Sequence, residues 1–274
     1  MSGVDLSIKT DIWSRLKESK TPIIIYGTGN GADKVLDELE RLQIPVHGIM
    51  ASDDFVRGQV FRGFTVRRLS DFEQKFSRLI ILIAFGSQRK NVISHILSLA
   101  EKHTVLCADV PVYGDNIFNI DFFRQHYDEI EQAYSLLSDE MSQRVFKSII
   151  KFKLSGELPY LTGVFTDKDE IFHNILQLNS EESYLDLGAY RGDTIDEFLH
   201  YTKGIYRQIT ALEPDSKTYR KLKEHSAELH DIQLFNMGIW NKDADLHFNA
   251  SLGRGSSITD NGSQLLPVTA IDTL

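Results

Sequence analysis

The sequence predicts an α/β protein built from two parallel-sheet domains joined by a helical linker, with the second domain incomplete. Three observations carry this expectation. From Pro22 to about Gly114, short apolar runs alternate with segments of helical period. From about Asp115 to Gly156, aromatic and aliphatic residues recur at helical spacing only. Near Leu158 a second pattern of strand, glycine turn, helix and strand begins and runs to Leu274. Both sheet segments are Rossmann-like, because a strand ends in a glycine turn that opens a helix. The expected boundaries are 1–115 for the N-terminal domain, 116–157 for the linker and 158–274 for the second domain.

The elements follow in order. Ile23-Ile24-Ile25-Tyr26 reads as a first strand, followed by the turn Gly27-Thr28-Gly29-Asn30-Gly31-Ala32 and a helix with Val35, Leu36 and Leu39 apolar. Val46 to Met50 is a second strand, and Leu79 to Ala84 a later one. Val92, Ile93, Ile96, Leu97 and Ala100 mark a helix before the strand containing Cys107. Near-continuous Ile and Leu runs imply strands covered on both faces. The linker reads as two helices, the second capped at Ser138-Asp139-Glu140.

Composition narrows the class. A hydrophobic content of 42% with 25% charged residues fits an ordinary soluble globular protein. A formal net charge of −9 argues against nucleic acid or an anionic membrane as the main partner. The one cysteine, Cys107, cannot form an intrachain disulfide and lies in an apolar run. With no bilayer-length apolar run and no secretory pattern at the N-terminus, a cytoplasmic location is expected.

The chemistry concentrates in YLDLGAYRGDTIDEF, Tyr184 to Phe198, and ALEPD, Ala211 to Asp215. A nucleoside ligand needs backbone to approach closely after the first strand, which suits Gly188 and Gly192. It also needs an acid at the end of the second strand to accept hydrogen bonds from ribose hydroxyls, which suits Glu213. The spacing is D-x-G-x-x-x-G, from Asp186 through Gly188 to Gly192, and differs from the G-x-G-x-x-G of dinucleotide sites. Asp193 stands just after the second glycine, where a diphosphate would add more negative charge. That favours a ligand with a cationic centre, and a sulfonium fits.

DLGAYRGDT, followed by EPD and the later VTAIDTL, resembles the FkbM family of S-adenosylmethionine-dependent methyltransferases over about Pro159 to Leu274. The resemblance implies a class I methyltransferase domain whose cofactor is S-adenosylmethionine. It places Asp186, Gly188, Ala189, Tyr190, Gly192 and Asp193 at the methionine end and Glu213 on the ribose. Pro214 and Asp215 would border the ribose, with Asn236, Met237 and Gly238 beside the adenine. The acceptor it implies is a hydroxyl on a carbohydrate or small molecule. In the family a further strand, with a lysine-isoleucine-aspartate and a glutamyl-glycine signature, follows the counterpart of Val268 to Leu274. This sequence departs from that pattern by ending at Asp272-Thr273-Leu274, so a truncated domain holding part of the site is expected. Catalytic residues stay unassigned: His225 and His247 are available as bases, and the loop from Gly253 to Ser257 could close over substrate.

The first turn carries a rival reading. Gly27-x-Gly29-x-x-Ala32 matches a dinucleotide turn, but Asp53 and Asp54 lie beyond the acid spacing of about 20 residues that an NAD site uses. YGTGNGADKVL with VHGIMASDD and FRGFTV also resembles the nucleotide-sugar-binding domain of certain sugar acyltransferases. On that basis Gly27, Gly29, Asn30 and Asp53 form a second candidate nucleotide site, with a ligand-free packing module as the alternative. An incomplete second sheet should also expose Leu265, Leu266 and Val268 on its last face, to be covered by a homodimer contact.

Overall fold

The computed structural model describes residues 4, 8–87, 89–111, 116–249, 257–258 and 264–274. The chain forms two compact units, Met1–Phe165 and Thr166–Leu274.

In the first unit, α1 (Ile12–Glu18) precedes β1 (Ile23–Tyr26), α2 (Asn30–Arg41), β2 (Gly48–Met50), β3 (Val60–Phe61) and β4 (Phe64–Arg67). Then come α3 (Leu69–Glu73), β5 (Ile80–Ile83), α4 (Lys90–Leu99) and β6 (Thr104–Leu106). The six strands form one sheet in the order β3-β4-β2-β1-β5-β6, parallel except for the β3–β4 pair. Strand side chains alternate between faces, and both faces are covered. Ile23 and Ile25 pack with Val35, Leu36 and Leu39 of α2, while Ile24 and Tyr26 pack with Ile96 and Leu99 of α4. This is why β1 and β5 read as unbroken apolar runs. Cys107 lies just past β6, and burial, helped by Asp109, pushes its thiol up to about 11. That makes it a packing residue and not a nucleophile.

The helices of 116–157 lie within this first unit. There are three: α5 (Ile120–Gln125), α6 (Tyr127–Ser135) and α7 (Glu140–Ser155), with the short α8 (Pro159–Thr162) following. The expectation of two is corrected by a break at His126, which leaves helical geometry and serves as both the end of α5 and the start of α6. The expected cap before α7 is Asp139, whose Oδ1 accepts the Ser142 N–H at 2.8 Å. Phe123, Ile150 and Leu154 bury together with Val4, and Lys153 pairs with Asp109 at 2.5 Å.

In the second unit, β7 (Ser183–Leu187), α9 (Asp193–Thr202), β8 (Gln208–Leu212), α10 (Ser216–His225) and β9 (Ile232–Phe235) form a parallel three-stranded sheet, ordered β7-β8-β9, with its helices. Ile195 and Phe198 of α9 and Leu222 of α10 bury against Ile209 and Ala211 of β8. A second sheet follows, made of β10 (Gly238–Ile239), β11 (Ala244–Asn249), β12 (Ser257–Ile258) and β13 (Gln264–Thr269), in the order β10-β13-β11-β12.

This sheet corrects one expectation. β13 is an inner strand between β10 and β11, so it offers no free edge. Its residues alternate: Leu265 is exposed, whereas Leu266 and Val268 are buried against Ala244 and Leu246. On the edge strand β7, Leu185 and Leu187 are exposed. The candidate closing loop, Gly253 to Ser257, lies outside the described residues apart from Ser257.

Candidate functional site

Parallel strands place their carboxyl ends on one side, and there the second unit gathers its polar residues. β7, β8 and β9 are in register, with Leu187 beside Leu212 and Leu212 beside Phe235. One step further, Gly188, Glu213 and Asn236 make the next row, because Gly188 N–H donates to Leu212 O at 2.9 Å and Glu213 N–H to Phe235 O at 3.0 Å. Residues far apart in sequence are therefore neighbours at one sheet end.

The turn after β7 is held by its own backbone and by Glu213. Gly188 and Ala189 both donate N–H groups to Leu212 O, and Gly192 N–H donates to Ala189 O at 2.8 Å. Gly188, Tyr190 and Gly192 have positive φ of 103°, 49° and 96°. A side chain at Gly188 would meet no atom within 4 Å, so the turn leaves an open cradle there. At Gly192 the reason differs: a Cβ would stand 2.7 Å from His225 Cδ2. Gly192 is needed for the turn and for close packing of α10. Ala189 is fully buried.

Glu213 is 6% exposed, and both of its oxygens are engaged. Oε2 accepts the N–H of Tyr190 and Oε1 that of Asp215, each at 2.9 Å. These use two of about four lone-pair directions and leave the others for a further donor. Asp186, 7% exposed, accepts from the Thr194 hydroxyl at 2.5 Å. Neither acid has an ion pair among the described residues. Burial pushes the Glu213 carboxyl above the ordinary carboxylate range, with the Asp215 and Asp186 charges adding to it and backbone N–H groups opposing it. Asp186 is likewise raised, chiefly by burial and then by the Asp193 charge, against the Thr194 bond. Two buried acids thus share a negative site, neither of them ion-paired among the described residues.

The neighbouring residues divide by role. Asp215 caps α10, its Oδ1 accepting the Thr218 N–H at 2.8 Å. Asn236 donates to the carbonyls of Glu213 at 2.8 Å and Pro214 at 3.1 Å, and receives the Ser216 hydroxyl at 2.8 Å. Gly238 is buried, with Val268, Leu266 and Pro214 around the place of its missing side chain. Met237 is half-buried, and Asp193 opens α9. Sequence reasoning passed over Thr194 and Ser216 as partners. Thr194 stands inside GDT, directly after the two residues singled out, and its helix-start position was the available signal. Nothing local marks Ser216 as the partner of Asn236.

The first turn is built differently. Gly27 N–H is spent on Met50 O at 3.0 Å, and Gly29 caps α2 without a side chain. A Cβ at Gly31 would lie 2.3 Å from Ala84 O, so the start of α2 packs onto the end of β5 at the topological switch between β1 and β5. Asn30 and Asp53 are exposed, Asp53 at the start of a 3-10 turn. His225 is bonded to Asp196 at 2.8 Å, and His247 faces outward on β11.

The crystal structure of methyltransferase FkbM from Methylobacillus flagellatus KT has a similar fold, with a TM-score of 0.64 over 98% of this chain and 75% of that one. The two are 15% identical, so the likeness is one of fold. No family model and no curated protein matches the chain. Among the described residues no helix is long and apolar enough to cross a membrane.

Proposed function

We propose that the second unit is an S-adenosylmethionine-dependent methyltransferase domain acting on a hydroxyl of a carbohydrate or small molecule. One observation carries the reading. Glu213 and Asp186 are buried, raised carboxylates without ion pairs among the described residues, set around an open glycine cradle at a parallel sheet end. Such a site suits a ribose donor joined to a cation. Methyltransferase chemistry in a protein of similar fold supports the same class.

The residues fit the cofactor as follows. Gly188, Ala189, Tyr190 and Gly192 form the turn against which its methionine end would lie, and Asp186 and Asp193 supply negative potential there. Glu213 would accept the ribose hydroxyls, with Pro214 and Asp215 at its border. Asn236 holds the Glu213–Pro214 backbone in place, and Met237 and Gly238, which follow it, would lie on the adenine side. When bound, the cofactor would supply an electrophilic methyl group on positive sulfur. This chain's part is to hold the donor and acceptor in line.

Calorimetry with S-adenosylhomocysteine, NAD and a nucleotide sugar in parallel tests the proposal. Saturable binding of S-adenosylhomocysteine, weakened at least tenfold by Glu213→Ala, is expected. Binding of NAD alone would overturn it.

A further inference from the structure

The helices of the first unit carry a second set of unabsorbed charges. Arg144, Lys147 and Lys151 recur on α7 at spacings of three and four, so they lie along one face. That face lines a groove of about 430 Å³ with Tyr134 of α6 and Tyr160 of α8. The volume is that of a small-molecule site.

The cations are held in place. Lys147 Nζ sits 4.5 Å from the centre of the Tyr134 ring, and Lys151 Nζ 5.7 Å from that of Tyr160. Arg144 donates to Gly163 O at 2.9 Å, and the Ser148 hydroxyl ties α8 to α7 through Tyr160 O at 2.7 Å. Tyr134 donates to Gln143 at 3.1 Å, and Gln143 in turn donates to Leu137 O at 2.9 Å. The groove is thus ordered from floor to rim.

The groove is short of negative charge. Glu140 is its single acid, set against three cations, in a chain of net charge −9. On the same helix Lys153 has a carboxylate partner in Asp109, whereas Arg144, Lys147 and Lys151 have none among the described residues. Like charges at this spacing destabilise a helix, and an anion between them would reverse the sign. We propose that the groove between α6, α7 and α8 binds a small-molecule phosphate ester or diphosphate, with Arg144, Lys147 and Lys151 as its ligands.

The test uses the full chain in low-salt buffer free of phosphate and sulfate. Calorimetry is run with inorganic pyrophosphate, ADP, a hexose 1-phosphate and, as uncharged controls, adenosine and the free hexose. Saturable one-site binding of at least one phosphorylated probe is expected, weakening as sodium chloride is raised. The relative affinities of ADP and the sugar phosphate show which organic group the site accepts. Lys147→Gln with Lys151→Gln should reduce affinity at least tenfold, while Lys75→Gln with Lys90→Gln, which removes the same charge from exposed sites elsewhere, should change it less than twofold. Thermal melts without ligand check that the groove variant is folded. Its S-adenosylhomocysteine binding should be unchanged, which separates this site from that of the second unit. Absence of binding by every phosphorylated probe, or equal weakening by the two lysine pairs, would overturn the proposal.

Discussion

Glu213 Oε2 accepts the backbone N–H of Tyr190 at 2.9 Å, so the end of β8 clamps the turn that follows β7. The clamp holds Tyr190 in the left-handed region at φ 49°, a conformation non-glycine residues seldom adopt. The side chain proposed to receive ribose therefore also shapes the turn proposed to receive the methionine end.

Glu213→Ala leaves the N–H groups of Tyr190 and Asp215 without acceptors. Chemical denaturation should show a loss of about 1–3 kcal/mol, together with the fall in S-adenosylhomocysteine affinity. Glu213→Gln keeps one acceptor oxygen and should lose less stability. A variant that keeps full affinity would show that Glu213 serves the turn alone.

Asp186→Asn separates charge from shape, because the new amide oxygen can still accept the Thr194 hydroxyl. The folded-state pKa of Asp186 is raised, so its contribution to stability is full below the ordinary value of about 4 and is lost as pH rises through the folded value. The variant should therefore match wild type in acid and exceed it at neutral pH. Denaturation at a series of pH values checks the sign, and a variant less stable at pH 7 would contradict it.

Glycine replacements should sort by cause. Gly188→Ala has room for its Cβ but not a favourable φ, so it should cost about 1–2 kcal/mol and lower cofactor affinity by filling the cradle. Gly31→Ala presses a Cβ against Ala84 O and should cost about 1–3 kcal/mol. Thermal melts of the two proteins, with and without S-adenosylhomocysteine, distinguish them: the ligand should raise the melting point less for Gly188→Ala than for wild type.

Asp11 links two distant segments. It is buried, its Oδ1 caps α1 through Ser14 N–H at 2.8 Å, and its Oδ2 accepts the Ile120 N–H at 3.0 Å. Asp11→Ala removes both bonds and should cost about 2 kcal/mol, with Asp11→Asn losing less. Hydrogen exchange at Ile120 should rise in step.

Periodicity and turn chemistry are local, so β1, α2, β5, β7, α9 and β8 were all legible in the sequence. Asp186, Gly188, Gly192 and Glu213 were legible as a set for the same reason, since strand, turn and acid follow one another along the chain. Other features depend on contacts between segments that no short window contains. Leu266 and Val268 read as exposed until β13 is seen lying between β10 and β11. His126 breaks a run whose apolar spacing carries straight on. Gly192 reads as part of a ligand turn, yet it also makes room for His225, and Gly31, unassigned in the sequence, makes room for Ala84 O. The stripe of Arg144, Lys147 and Lys151 went unread in the sequence, because only packing against Tyr134 and Tyr160 makes it a groove. The sequence thus determined which residues could meet a ligand, through backbone freedom and charge. Tertiary structure decided which of them gather at one sheet end, because burial and the Tyr190–Glu213 bond arise only when strands distant in sequence align.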